Sequence, residues 1–321
     1  MKHELKKDIF NVNSFRDFEI LSLEIYRHQY NRIDVYRQFS QLVGKTPDKV
    51  SSLLDIPFLP ISFFKTHSVL SPNEHVQKTF CSSGTTGDQI SKHHVTDLTL
   101  YEQSFLKGFE NAFPNFKSTT IIALLPSYIE RIDSSLVYMV NDLIDKSGGV
   151  HSGFYETLNM ELIEFLENDN SPKILIGVSF ALWNAAEKGI KLTNTKVVET
   201  GGMKGKRKEI IREELHKILK SGLNVSEIYS EYGMTELLSQ AYLTDNNFNC
   251  PPWMKALSRD ISDPLTVNFS GKGAINIIDL ANLNSCSFIA TDDQGEIFSN
   301  GTFDVKGRID HTQIRGCNLL I

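Results

Sequence analysis

The sequence predicts an α/β fold: a body of mainly parallel sheet flanked by helices, followed by a small β-rich subregion. Three short apolar runs rich in β-branched residues, at 119–125, 173–178 and 196–198, read as buried strands. Each is followed by a turn or small residues and then a helical pattern, at 134–144, 180–187 and 206–220. That alternation builds parallel sheets. Beyond residue 266 the texture changes to short β-like runs at 273–278, 287–291 and 303–306, separated by Gly and Asn turns.

Taken in order, Phe15, Phe18, Leu21 and Ile25 recur at spacings of three or four and predict an amphipathic helix, whose pattern is broken by Pro57 and Pro60. Helical spacing returns at Tyr101, Phe105, Phe109 and Phe113 after a start near Thr96 or Asp97, an aromatic stripe expected to pack into the core. The charged face of 206–220 requires only solvent. With no internal repeat, low-complexity tract or long linker, the expected division is a helical segment 1–75 packed on the body, the α/β body 76–265, the β-rich part 266–309 and a tail 310–321.

Composition narrows the function classes. The 321 residues are 40 % hydrophobic, enough for a sizeable core. With 33 Lys and Arg against 39 Asp and Glu, the net charge of -6 gives no broad electrostatic reason to bind nucleic acid or an anionic membrane. A small ligand or a protein partner is favoured. The N-terminus has no apolar run of signal-peptide type, and no later run reaches bilayer length, so no membrane span is expected. Cys81, Cys250, Cys286 and Cys317 lack the paired spacing of a zinc or redox site, which fits reduced thiols in the cytoplasm.

Three motifs carry chemistry. Ser82-Ser83-Gly84-Thr85-Thr86-Gly87 follows the apolar 79–81, and its small residues allow backbone N–H groups and hydroxyls to surround phosphate oxygens. It is not a Walker A loop, because Asp88-Gln89 stand where Lys-Ser/Thr would follow. In the second, Tyr229-Ser230-Glu231-Tyr232-Gly233-Met234-Thr235-Glu236, an apolar strand at 225–229 runs into a Gly turn and a helix-like segment, at the strand end where α/β sheets build sites. There Thr235 is a candidate phosphate donor and Glu236 a candidate ligand for Mg²⁺, a hard cation that prefers oxygen. The third is Gly307-Arg308-Ile309-Asp310. Taken singly, these are also the compositions of a surface turn, a helix start and a surface ion pair.

In combination and in this order, the motifs resemble the adenylate-forming superfamily of acyl-CoA synthetases, adenylation domains and luciferases. The resemblance implies that superfamily's N-terminal body, MgATP as cosubstrate and a carboxylic acid as substrate. It makes Ser83, Gly84, Thr85, Thr86 and Gly87 the phosphate loop, Gly201 and Gly202 the adenine-contacting turn, and Tyr232 to Glu236 the nucleotide motif. Asp292 and Arg308 become ribose contacts and Asp310 the hinge. Segments 124–131, 199–205 and 315–320 look like the acyl-protein synthetase (LuxE-like) family, a similarity running from about residue 79 onward. The first 75 residues add little to it. That family implies a fatty acid and an acyl-accepting reductase or carrier protein as partner.

Superfamily members continue past the hinge into a lid of ~100 residues bearing a lysine, whereas this sequence stops eleven residues after Asp310. The expectation is a body lacking the C-terminal lid. Lys204 and Lys92 are then candidates for the missing cation, with solvated surface lysine as the alternative for each. By family resemblance Cys317 is the acyl acceptor, with Arg315 two residues away to favour its thiolate; the alternative is a small buried hydrophobe. Cys81, Cys250 and Cys286 read as structural. Phe180, Trp183 and Tyr128 fit an acyl tunnel or the core equally well. Two rival readings stand beside the acyl-protein synthetase: an acyl- or aryl-CoA ligase, and a catalytically silent nucleotide-binding or acyl-carrying subunit.

Overall fold

A computed structural model describes residues 2–83, 89–126, 131–203, 206–208 and 210–309. The chain opens with helices α1 (Lys2–Ile9), α2 (Phe15–Arg32) and α3 (Asp34–Leu42), strand β1 (Leu59–Pro60) and the one-turn helix α4 (Phe63–Thr66). Strands β2 (Lys78–Cys81) and β3 (Lys92–Val95) lead to α5 (Leu98–Ala112). Next come β4 (Thr120–Leu124), α6 (Ser135–Lys146), β5 (Gly153–Tyr155), α7 (Met160–Asn168), β6 (Lys173–Val178), α8 (Ser179–Glu187), β7 (Thr195–Thr200), α9 (Arg212–Leu223), β8 (Ile228–Tyr232), β9 (Ala241–Thr244) and β10 (Asn247–Asn249). Strands β11 (Met254–Arg259), β12 (Val267–Asn268), β13 (Gly271–Asp279), β14 (Phe288–Ile297) and β15 (Phe303–Arg308) follow. By contacts the chain divides into two units, one of Met1–Gln77, His93–Asp97 and Pro252–Ile321, the other of Lys78–Lys92 and Leu98–Pro251.

The second unit is the α/β body. Its strands run in the order β10-β9-β8-β7-β6-β4-β5, and β8, β7, β6, β4 and β5 are parallel to one another. Every residue of β4 and β6 is buried. A strand covered on both faces shows an unbroken apolar run in place of alternation, and that is the signal both carry. Antiparallel β9 and β10 close the series through a two-residue turn at Asp245 and Asn246, whose φ values of 52° and 72° suit a tight hairpin. Helix starts are capped where the sequence offers a cap: Ser134 Oγ accepts from the Val137 amide and Asn159 Oδ1 from that of Leu162.

The aromatic stripe is core, as its spacing predicts. Tyr101, Phe105 and Phe109 lie on α5 and Phe113 one residue beyond it, all buried. Phe109 and Phe113 meet Tyr242 of β9 at 5.8 and 5.5 Å between ring centres, and Phe113 meets Tyr229 of β8 at 5.3 Å. The stripe thereby seats α5 on the antiparallel edge of the body.

The first unit is the β-rich part with the N-terminal helices. Strands run β12-β11-β13-β14-β15, antiparallel throughout, and β1 adds to β14 in parallel. Helix α2 buries Phe18, Leu21, Ile25 and Tyr26. Its Gln29 is fully engaged in the interior: Nε2 donates to the Asn282 and Leu283 carbonyls and to Ser287 Oγ, and Oε1 accepts from the Ser287 amide. Around this clasp, Tyr26, Tyr36 and Phe58 pack on Phe288.

Three local expectations change. Phe15, read as part of the apolar stripe, is half exposed at the first position of α2, where it rests against Phe269. The helix expected from residue 206 begins at Arg212. The segment after β8 is a turn leading into β9 rather than a helix, because apolar residues from Leu237 onward feed an antiparallel partner strand. Among the described residues no helix is long and apolar enough to cross a membrane.

Candidate active site

The carboxyl ends of β7 and β8 lie side by side, and each carries a glycine turn. After Thr200, Gly201 and Gly202 have φ values of 75° and 72°, two successive left-handed residues that side chains with a Cβ adopt at a cost. Open space surrounds Gly202, so the backbone conformation alone calls for glycine there. Met203 is buried, and its carbonyl accepts from the Lys206 amide at 2.9 Å. Arg207 then fastens this stretch to α8: its guanidinium lies 4.7 Å over the Trp183 ring, donates to Glu187 at 2.7 Å and to Asn184 at 3.0 Å. Trp183, a candidate for an acyl tunnel, serves as that platform, while Phe180 is buried. Lys204 lies outside the described residues.

At the end of β8, Tyr232 is buried against Phe248, 5.8 Å between rings. Gly233 begins the turn, which the Leu237 amide closes onto the Met234 carbonyl at 3.1 Å. Met234 and Thr235 are partly exposed, and Glu236 is buried. A buried carboxylate on a turn at a sheet's carboxyl edge is chemically suited to a hard divalent cation. No cluster of three or more His, Cys, Asp or Glu side chains able to hold a metal occurs among the described residues.

Between these turns sits a group to which the motif at 229–236 gives no role. Glu231 Oε2 accepts from Thr200 Oγ1 at 2.6 Å, and Oε1 lies where a Cβ on Gly233 would be, 2.1 Å from that point. Desolvation, with a smaller push from the charge of Glu199, raises the Glu231 carboxyl to about 7, and the Thr200 bond opposes this. Glu199 in turn accepts from Ser179 at the start of α8. Tyr101 from α5 and Tyr242 from β9 face the same carboxylate, and burial first, then its charge, raises both phenols well above their ordinary value. The one sequence signal of this cluster is a charged residue set within the strand Ile228–Tyr232, which is otherwise neutral.

The segment before the presumed phosphate loop is pinned on both sides. Ser82 donates its amide to the Ser91 carbonyl at 3.1 Å, and Ser82 Oγ accepts from the Ser91 amide at 2.9 Å. Arg131 donates to the carbonyls of Cys81 and Ser82. Ser83 is the last described residue before the gap; Gly84, Thr85, Thr86 and Gly87 lie outside the described residues. Lys92 is exposed, near enough to Cys81 for its charge to act on the thiol, which burial and Asp133 nonetheless hold above its ordinary value.

Asp292 and Arg308 belong to the first unit, where they stand on neighbouring strands. Asp293 pairs with Arg308 in register, their side chains form an ion pair at 3.6 Å, and the Ile309 amide donates to the Asp292 carbonyl at 2.7 Å. A residue that the motifs miss supports this place: buried Arg259 donates to Asn276 Oδ1 and to the Thr291 carbonyl, both at 2.8 Å. Burial lowers its guanidinium and the charge of Asp292 opposes that. Asp310 and Cys317 lie outside the described residues.

Known structures share this architecture. A 2-hydroxyisobutyryl-CoA ligase solved with its acyl-AMP and CoA superimposes with a TM-score of 0.65 at 12 % identity, covering 94 % of this chain and 77 % of that one. An amide bond synthetase from Marinactinospora thermotolerans gives 0.54 at 15 % identity, covering 75 % and 50 %. The fold is that of the adenylate-forming ligases. More particularly, residues 7–111 match the family described as acyl-protein synthetase, LuxE. A curated relative, the long-chain-fatty-acid–luciferin-component ligase of Photorhabdus luminescens, is 38 % identical over 68 residues, which are 21 % of this chain and 58 % of the relative. The family match takes in most of the first 75 residues, where the motifs left little to compare, so the expectation that likeness begins near residue 79 is corrected.

Proposed function

We propose that this chain activates a carboxylic acid with ATP and passes the acyl group to a thiol. The carboxylate oxygen attacks the α-phosphorus of ATP and pyrophosphate leaves, giving acyl-AMP; a thiolate then attacks the acyl carbonyl and AMP leaves. The observation that carries the reading is the pair of glycine turns at the adjoining ends of β7 and β8, with Thr235 and Glu236 on the second. In this reading Gly201, Gly202, Tyr232, Gly233 and Met234 receive the nucleotide, Thr235 donates to phosphate and Glu236 serves Mg²⁺, which would offset charge on the phosphates when bound. Ser83 to Gly87 surround phosphate oxygens, Asp292 and Arg308 hold the ribose, and Lys204 supplies positive charge at the reacting phosphate. Cys317 is the thiol we assign to the second step, with a reductase or carrier protein as the next acceptor. Likeness to the long-chain-fatty-acid–luciferin-component ligase of Photorhabdus luminescens supports a long-chain fatty acid. The cytoplasm is the location we assign, since Cys81 and Cys286 are free thiols.

Tetradecanoate-dependent exchange of labelled pyrophosphate into ATP is the test. Exchange is expected in the wild type and lost at least about a hundredfold in Glu236→Ala, the scale of an electrostatic contact made in the transition state. No exchange with any acid from C8 to C18 would overturn the first step. With labelled tetradecanoate the wild type is expected to retain label through a thioester and Cys317→Ser to retain none; label found on added coenzyme A instead would assign the acceptor to that cosubstrate.

A further inference from the structure

Backbone pairing between β7 and β8 runs through Val197 with Ile228, Val198 with Tyr229 and Glu199 with Ser230. The next link along is made by side chains, because Thr200 Oγ1 donates to Glu231 Oε2 at 2.6 Å. The same carboxylate lays Oε1 over Gly233, 2.1 Å from where a Cβ would stand, with Gln240 Cγ 3.2 Å from the same point. One carboxylate thus touches the residue that precedes Gly201 and the residue that opens the second turn. Thr200 is buried, so its hydroxyl depends on this partner, and at 2.6 Å the bond is short.

We propose that Glu231 is a positioning residue whose carboxylate bridges the two strand ends and fixes the spacing of the Gly201-Gly202 turn from the Gly233–Glu236 turn. This rests on the reading of those turns as the nucleotide site. Glu231 does not itself contact nucleotide; it acts through the two backbones that do. Gly233 has a corresponding reason to be glycine, since any Cβ there displaces the bridge.

The test uses the full chain as wild type, Glu231→Ala, Glu231→Gln and Thr200→Val, with MgATP and tetradecanoate in pyrophosphate exchange and with amide hydrogen exchange on the nucleotide-free protein. Gln keeps a carbonyl oxygen for the Thr200 hydroxyl, and Val removes that donor with little change of shape. Glu231→Ala and Thr200→Val are expected to raise KM for MgATP about tenfold, the effect of one buried bond, with a smaller change in kcat. Both should speed amide exchange in peptides covering 199–203 and 230–240 while distant peptides keep their rates. Glu231→Gln is expected to return both readouts to within about threefold of wild type. Wild-type KM and wild-type amide exchange in the Ala and Val variants overturn the proposal, as does a Gln variant as impaired as Ala. If Glu231→Ala does not fold, Thr200→Val decides. If the wild type shows no pyrophosphate exchange, it is the functional reading that fails, and amide exchange alone still decides whether Glu231 joins the turns.

Discussion

Glu231 is chemically out of place among its neighbours, and its surroundings state a consequence for pH. Its carboxyl is raised from 4.5 to about 7, chiefly by desolvation. Below 4.5 the group is protonated in both folded and unfolded chains and its contribution to stability is fully present. As pH climbs through 7, the unfolded chain ionises first and the contribution is lost. At about 1.4 kcal/mol per pKa unit, the loss is of the order of 3 kcal/mol. Urea unfolding at pH 5 and pH 8 should therefore show wild type losing stability relative to Glu231→Gln across that interval. An unchanged difference between the two proteins would show that the carboxyl titrates normally. Although Glu231 stands within the motif at 229–236, its role is not legible there, since Thr200 and Glu231 are 31 positions apart and only folding brings them together. Arg259 escaped for the same reason, its partners Asn276 and Thr291 lying on two other strands.

At the level of single elements, legibility followed burial. Strands β4 and β6, apolar on both faces, stood out as unbroken runs, and α5 announced itself through four aromatics at equal spacing. Truncating that stripe should be costly: Phe109→Ala is expected to lose about 3–5 kcal/mol of unfolding free energy, as measured by denaturant midpoint and slope, because the ring is buried against Tyr242, Phe113 and Phe116. A loss below about 1 kcal/mol would mean that the site collapses and the stripe is not the seat of α5. Strand β11 was not legible because Lys255, Ser258 and Arg259 interrupt its apolar residues, and the buried arginine satisfies itself through partners the local sequence does not reveal. The turn after β8 was misread as a helix because Thr235-Glu236 is also a helix-start pattern; its outcome is decided by β9, which pairs back onto β8.

For the molecule as a whole, fold likeness extends much further along the chain than family likeness. Structural similarity spans nearly all of it, whereas the family match occupies 7–111 and the nucleotide motifs lie mostly beyond that. If the glycine turns do receive ATP, the nucleotide binds the folded state alone and must raise its stability by linkage. MgATP at about a hundred times its Kd should add about 2.7 kcal/mol, seen as a rise in Tm that grows with nucleotide concentration. A Tm that is indifferent to MgATP but responds to the acid would remove ATP from the ground-state complex.

The Gln29 clasp sets an order on synthesis. Its partner Ser287 lies 258 positions further along the chain, and the ring of Phe288 that covers Tyr26 and Tyr36 is its neighbour. While the ribosome is still adding the intervening residues, α2 has an apolar face with its final cover not yet made. At about 5–20 residues per second, that wait is on the order of ten seconds or more. Helix α2 is made long before Ser287 and Phe288 and gains its final cover only when they arrive, which makes it a segment that a chaperone would meet.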